Sequence, residues 1–551
     1  MDATGGGKGK AWTPLLFSII LIAGMVLGFN LRDTLRSKRD INTVIERNDR
    51  LEQVIDLINE KYVDSVNGDN LYKDAITGIL QSLDPHTVYI PAEQMQDVTE
   101  DMEGNFSGIG VEFSIVRDTI QVTSVVDKGP AAKAGIELGD QLIKVGDSTV
   151  AGVNITSQRI IAMLKGKSKS SVSLSVKHYY APDVKAVTLT RDLIPIYSVD
   201  AGVMLDDNTG LIKINRFSAT TYKEFDDALK RIKAQGAKQL VIDLRDNPGG
   251  YLEQATQIAD ELLDGDKLIV YTQGAHSNRT EYKAGQKGGF EKGKVAILID
   301  ESSASASEIL AGAVQDWDRG VIVGRRSYGK GLVQEPYEMD DRSELRLTVA
   351  KYFTPSGRYI QRSFGKGRDA YEADYEKRIQ LSEITGNDFF IPTDTTRYFT
   401  NNHRVVYAGG GIKPDIYVPV DTMRMSVELG NRLSSPELKA AIWDYFLSHR
   451  AVLKYKSVTD FMEHFDGEED AIERYLATVS PIDRRRVARE ISKPLIRHYF
   501  YLHIKAQIGR FLFKDDGYYA VLAQDDKVIT TAIATMDDDR RYLNIVSGKG
   551  E

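Results

Sequence analysis

Val295-Ala-Ile-Leu-Ile-Asp-Glu-Ser-Ser-Ala-Ser-Ala-Ser-Glu-Ile-Leu-Ala-Gly-Ala-Val-Gln-Asp-Trp-Asp-Arg-Gly-Val-Ile-Val-Gly324 is the stretch whose reading decides the fold. Val295–Ile299 is a short, continuous apolar run, Ala306–Trp317 has helical length, and Gly320–Gly324 is apolar again. Strands buried on both faces with a helix between them are the unit of a layered α/β sheet. The alternation continues upstream. Gly210–Ile214 reads as a strand and Tyr222–Lys233 as a helix with Phe225, Leu229 and Ile232 on one face. Gln239–Leu244 is a strand, Leu252–Leu263 a helix and Lys267–Thr272 a strand. Downstream, Glu344–Phe353 alternates as a strand and Gly409–Pro419 returns to the core pattern. An α/β core over residues 200–420 is expected, with the polar stretch 363–404 as an insertion or surface loop.

The flanks differ in character. Residues 105–190 carry short β-type runs (Gly110–Val116, Thr119–Val126, Gln141–Val145, Ser171–His178) punctuated by glycine, with one helix near Ser157–Leu164. This predicts a compact β-rich domain. Residues 40–100 predict helices, one through Ile41–Ile58 and one near Asn70–Leu83 that stops before Asp84-Pro85. Residues 421–551 read as mostly helical, and Arg484–Arg486 as a solvated helix face. After a short tail, 1–11, Trp12–Phe29 is the one run apolar enough to span a bilayer, about 27 Å as a helix. An uncleaved transmembrane signal anchor is expected, with a cleaved signal peptide as the alternative. The lysines and arginines on its two sides do not settle its orientation.

The chain has 551 residues, which calls for about three to five domains. A formal net charge of −8 offers no broad basic field, so nucleic acid is not an expected partner. Cysteine is absent, which removes a thiolate nucleophile, a thiolate metal site and any disulfide framework.

Chemistry concentrates in the serine-rich turn. Small residues between a strand and a helix let a side chain stand exposed at the sheet end, and the helix N-terminus beyond offers unpaired N–H groups for an oxyanion. A serine N-cap explains the same residues without chemistry. A hydroxyl nucleophile needs a base, and none of the eight histidines sits in a motif near this turn. A lysine serves if burial lowers its pKa, and Lys330, between Gly329 and Gly331, follows the adjacent strand. Parallel strands place their C-terminal ends together, so Ser305 and Lys330 can meet at one edge. Gly324–Lys330 also matches the first seven positions of a phosphate-binding loop, but Gly331 stands where Ser or Thr should hold Mg²⁺, and Pro336 comes too soon for the helix that cradle needs. Asp243-Leu-Arg-Asp-Asn-Pro-Gly-Gly250 is a second glycine turn whose amides could complete an oxyanion hole.

Together these residues resemble the carboxyl-terminal processing, or tail-specific, serine proteases. Ser303-Ala-Ser-Ala-Ser-Glu-Ile309 and Tyr328-Gly-Lys-Gly331 with Gln334 carry the resemblance: a lysine 25 positions after the middle serine and a glutamine four further on. Asp243–Gly250, Thr354-Pro-Ser-Gly-Arg-Tyr-Ile-Gln361 and Gly411–Asp415 match further stretches of that pattern. The resemblance implies a crotonase- or Clp-protease-like layered core with Ser305 as nucleophile, Lys330 as general base, Gln334 holding the lysine, and Ala306, Gly249 and Gly250 around the oxyanion. It implies no metal or organic cofactor. Phe106–Phe113 and Gly129–Asp140 resemble a PDZ module, with Gly108, Ile109, Gly110 and Val111 receiving a peptide C-terminus. Leu164-Lys-Gly-Lys-Ser-Lys-Ser170 departs from the PDZ pattern by lacking its second glycine. The expected partners are proteins with unstructured C-termini and the membrane, with a homo-oligomer left open. The expected location is the inner membrane with the bulk of the chain periplasmic. A PDZ scaffold on an inactive core, and a different enzyme of the crotonase-like fold, are the competing readings.

Overall fold

The computed structural model describes residues 50–385, 394–420 and 425–549. The expected membrane segment Trp12–Phe29 lies outside them, and no helix among the described residues is long and apolar enough to cross a membrane. The chain divides into two bodies, one ending at Leu83 and one beginning at Asp84. The first holds helices Arg50–Lys61 and Gly68–Leu80, the second of these capped by Asn67, whose side chain accepts from Asn70 N–H.

The second body is built on a six-stranded sheet whose spatial order follows the chain: β1 (Val199–Met204), β2 (Thr209–Ile214), β3 (Gln239–Asp243), β4 (Lys294–Ile299), β5 (Val321–Gly324) and β6 (Ile416–Tyr417). β1 runs antiparallel to β2, and every later neighbour is parallel. The strands are mostly apolar because both faces are covered, and period-2 alternation deals their side chains to two different cores. Ile212, Leu240, Ile242, Val295 and Ile297 pack under helices α1 (Thr221–Ala234), α2 (Leu252–Leu262) and α3 (Ala306–Asp316). Leu211, Val241, Ala296, Leu298 and Val323 face the other way, onto Val528, Ile529, Ala532, Met536 and Tyr542 from the end of the chain. The helical tail therefore supplies the second cover of the central sheet.

A second sheet lies beside this core. Leu332–Glu338 and Glu344–Phe353 form a hairpin, which Val88–Ile90 and Leu268–Gln273 extend. The stretch 363–404, expected as an insertion or surface loop, holds helix α4 (Arg368–Thr385) and a strand, Arg397–Phe399, paired with Val405–Tyr407. Its composition is polar, yet Tyr371 and Arg378, two turns apart on one face, turn inward.

The β-rich domain forms one sheet in the order Val111–Val116, Thr119–Val125, Gln141–Val145, Ser171–Lys177, Val184–Thr190, with helix Ser157–Leu164 against its core. Gly108 ends a ribbon pairing Asn105–Gly108 with Asp192–Pro195. Ile109 is buried, and Gly110 (φ 78°) turns the chain into Val111–Val116, which has one strand neighbour among the described residues. Where the PDZ pattern has its second glycine, Lys169 takes the left-handed backbone at φ 66°. Arg484–Arg486 is exposed on helix Pro481–Ile491, with Arg486 paired to Glu428 and Asp483.

Candidate active site

Ser305 is the residue before α3, and its backbone is strained, at φ 55° and ψ −112°. Such a conformation costs about 1–3 kcal/mol and persists only where the surroundings over-determine it. Here they do. Ser303 Oγ donates to Leu244 O (2.8 Å) and Ser307 Oγ to Asn247 O (3.0 Å). Ala304 N–H also donates to Asn247 O (3.0 Å). Asn247 Nδ2 donates to Ile214 O (2.9 Å), while its Oδ1 accepts from Gly249 N–H (2.9 Å). The flanking serines are buried structural ties, and the middle one lines a cleft of about 790 Å³ with Lys330, Gly249 and Gly250. A Cβ on Gly249 would lie 2.7 Å from Ser305 Cβ, so no other residue type fits there without displacing the serine.

Lys330 sits on the turn between β5 and Leu332–Glu338. The run after Gly329-Lys330 continues as the strand Leu332–Glu338, in place of the helix a phosphate loop requires, in line with the reading of Pro336. Lys330 Nζ donates to Gln334 Oε1 (2.7 Å), and Gln334 Nε2 donates to His86 O. Among the described residues no hydrogen bond joins Lys330 Nζ to Ser305 Oγ. Burial lowers the lysine's pKa, Arg346 lowers it further, and Asp84 and Glu308 oppose. His86 is pushed down to about 4, first by burial and then by Lys330.

Sequence reading passed over the residue that joins the two halves. Glu308 is fully buried at the start of α3. Its Oε2 accepts from Ser305 N–H (3.0 Å) and Lys330 N–H (2.8 Å), and its Oε1 from Ser327 Oγ (2.5 Å) and Gly329 N–H (2.8 Å). Burial raises its pKa to about 7 against those donors. The signal was present: a carboxylate set among small and apolar residues in the first turn of α3 must be buried with them, and a buried carboxylate must find donors. Tyr352 adds a second tie, its hydroxyl lying 3.1 Å from Ser305 O and 2.5 Å from Lys330 O. The Thr354–Gln361 stretch supports the loop that carries Lys330, because Gln361 Oε1 accepts from Gly331 N–H (2.8 Å).

Residues 208–371 match peptidase family S41, residues 107–191 a PDZ domain, and residues 28–94 the N-terminal domain of the activating protease CtpB. The carboxy-terminal processing protease CtpA of Bacillus subtilis is 33% identical over 353 residues, 63% of this chain and 75% of that protein. The carboxy-terminal-processing protease of Bartonella bacilliformis is 33% identical over 355 residues, 62% and 80% of the two chains. Among solved structures, the photosystem II D1 C-terminal processing protease is 26% identical, with a TM-score of 0.32, covering 56% of this chain and 89% of that one.

Proposed function

The chain belongs to the carboxyl-terminal processing serine proteases, with an S41 domain and a PDZ domain, and we propose that it cleaves proteins near their C-termini through a Ser305–Lys330 pair. One observation carries this reading: Ser305 and Lys330 line one cleft, and the backbone amides of both converge on one buried carboxylate oxygen. In this reading the neutral amine of Lys330, favoured by burial, accepts the Ser305 Oγ proton as the oxygen attacks the scissile carbonyl. Gln334 positions that amine. The amide of Ala306, in the open first turn of α3, receives the oxyanion, at about 3 kcal/mol per donor. Gly250 is the second donor we carry forward, because Gly249 N–H is already given to Asn247. Lys330 then returns the proton to the leaving amine, and water releases the acyl group from Ser305.

The PDZ domain captures the substrate's C-terminus, with the backbone of Gly108, Ile109 and Gly110 on the carboxylate and the peptide added beside Val111–Val116. Anchorage in the inner membrane with a periplasmic body rests on Trp12–Phe29 alone, and fractionation of the native protein tests it. The enzymatic reading is tested by incubating the protein with an unfolded substrate and reading the new C-termini by mass. Cleavage lost in both Ser305→Ala and Lys330→Ala supports it; cleavage retained in Ser305→Ala overturns it.

A further inference from the structure

The loop that carries the base, residues 325–331, leaves the edge of the sheet without regular structure of its own. One side of it is held by Glu308, and Gly331 N–H is held by Gln361. The other side presents consecutive carbonyls. Arg378, on the inward face of α4, donates to each: Nη2 to Arg326 O (3.2 Å) and Ser327 O (2.6 Å), Nη1 to Tyr328 O (3.1 Å). A planar guanidinium is the side chain that can fork across successive carbonyls in this way, and a lysine ammonium reproduces its charge without the fork. Two turns earlier on the same helix, Tyr371 lies under the Arg362 guanidinium, whose carbon is 3.9 Å from its ring centroid. Arg362 covers the Tyr328 ring as well, at 4.4 Å, and Arg362 N–H donates to Gly329 O (2.9 Å). Tyr371 OH is also 3.1 Å from His86 Nε2, and the carbonyl of His86 holds Gln334. One face of α4 thus braces both the loop before the lysine and the glutamine after it.

We infer that α4 is a strap for the base, with Arg378 as a positioning residue that sets Lys330 through the backbone of residues 326–328. The inference rests on Lys330 being the base, and it goes beyond that reading by giving the polar insertion a part in the reaction. Arg378 touches no reacting atom. Its loss frees the loop, lets water reach the amine and misplaces it.

The test uses the full-length protein with Arg378→Met, Arg378→Lys and wild type. It measures turnover of an unfolded substrate across pH, labelling of Ser305 by a fluorophosphonate, and thermal melting. Misplacement of a reacting group by about an ångström costs roughly 100-fold, so Arg378→Met should lose roughly 10–100-fold in kcat at similar KM. Its acid limb should move upward as the lysine is rehydrated, by roughly half a pH unit or more. The groups that also act on that limb, Arg346, Asp84, Glu308 and the neighbouring His86, are the same in all three proteins. Arg378→Lys should recover only part of kcat. Activity within about twofold of wild type, or a loss that follows the unfolded fraction with an unmoved limb, overturns the strap. A wild type that neither turns over substrate nor labels at Ser305 overturns the peptidase reading itself, and the strap with it.

Discussion

Ser305 and Lys330 donate their backbone amides to the same oxygen, Glu308 Oε2, at 3.0 and 2.8 Å. The two residues stand on different elements, one at a helix start and one on the turn between β5 and Leu332–Glu338, and a single buried carboxylate sets the backbone beneath both. The lysine's amine is meanwhile engaged by Gln334. The consequences can be measured separately.

Glu308→Gln removes an acceptor from a site where Glu308 accepts from Ser305, Ser327, Gly329 and Lys330, and points an NH₂ group at donors. Leaving a buried donor unpaired costs about 1–3 kcal/mol. Expected are a stability loss of about 2–3 kcal/mol in urea melts and a fall in kcat of roughly 10–100-fold, because Ser305 and Lys330 lose their common reference. Unchanged kcat in a folded Glu308→Gln protein would separate the carboxylate from catalysis.

The pH dependence has a definite sign. The proposed mechanism needs neutral Lys330, whose pKa burial holds below its ordinary value, so kcat/KM should rise with pH to a plateau beginning below pH ~10.5. For stability, the folded protein holds this proton less tightly than the unfolded chain. The penalty is therefore full below the folded pKa and fades as pH rises through the window up to the unfolded value. Lys330→Met should abolish turnover while raising Tm near neutral pH. Glu308 acts in the opposite direction: with its pKa raised to about 7, its contribution is present below its unfolded pKa of ~4.5 and lost as pH rises through about 7. Melting curves of wild type and Lys330→Met across pH check both signs.

Gly249→Ala combines a positive φ of 98° with a Cβ that would lie 2.7 Å from Ser305 Cβ and Ala304 O. Something must shift, and Ser305 is the nearest side chain. A loss of about 1–3 kcal/mol of stability and at least roughly 100-fold in kcat is expected, read by melting and turnover together.

Met536→Ala, far from the cleft, tests the cover supplied by the tail. Met536 is fully buried against the sheet face formed by Val241, Ala296 and Val321. A cost of about 2–5 kcal/mol in denaturant melts, with kcat of the folded fraction unchanged, is expected. A silent substitution would mean that this tail helix does not stabilise the sheet.

Much was legible from local pattern. Val295–Ile299, Ala306–Trp317 and Gly320–Gly324 reappear as β4, α3 and β5 within a residue or so at each end, because continuous apolar runs and helical periodicity are properties of neighbouring residues. The candidate residues Ser305, Lys330 and Gln334 were picked out by their spacing along the sequence. Less was legible where charge misled. Arg378 and Tyr371 lie in a stretch that reads as solvent-facing, and only partners contributed by distant segments bring them inside. Glu308 hid within a serine-rich run that an N-cap explains equally well.

The sequence by itself determined the strand–helix alternation and the turn that carries Ser305, since each is written in residues adjacent to one another. Only the tertiary structure decided that one carboxylate would hold both backbones, that helix 368–385 would close over the base loop, and that the last helices would cover the second face of the sheet. Those pairings join segments tens to hundreds of residues apart. They are chosen by which buried donors and apolar faces remain to be satisfied once the chain has collapsed, and no local pattern records that choice.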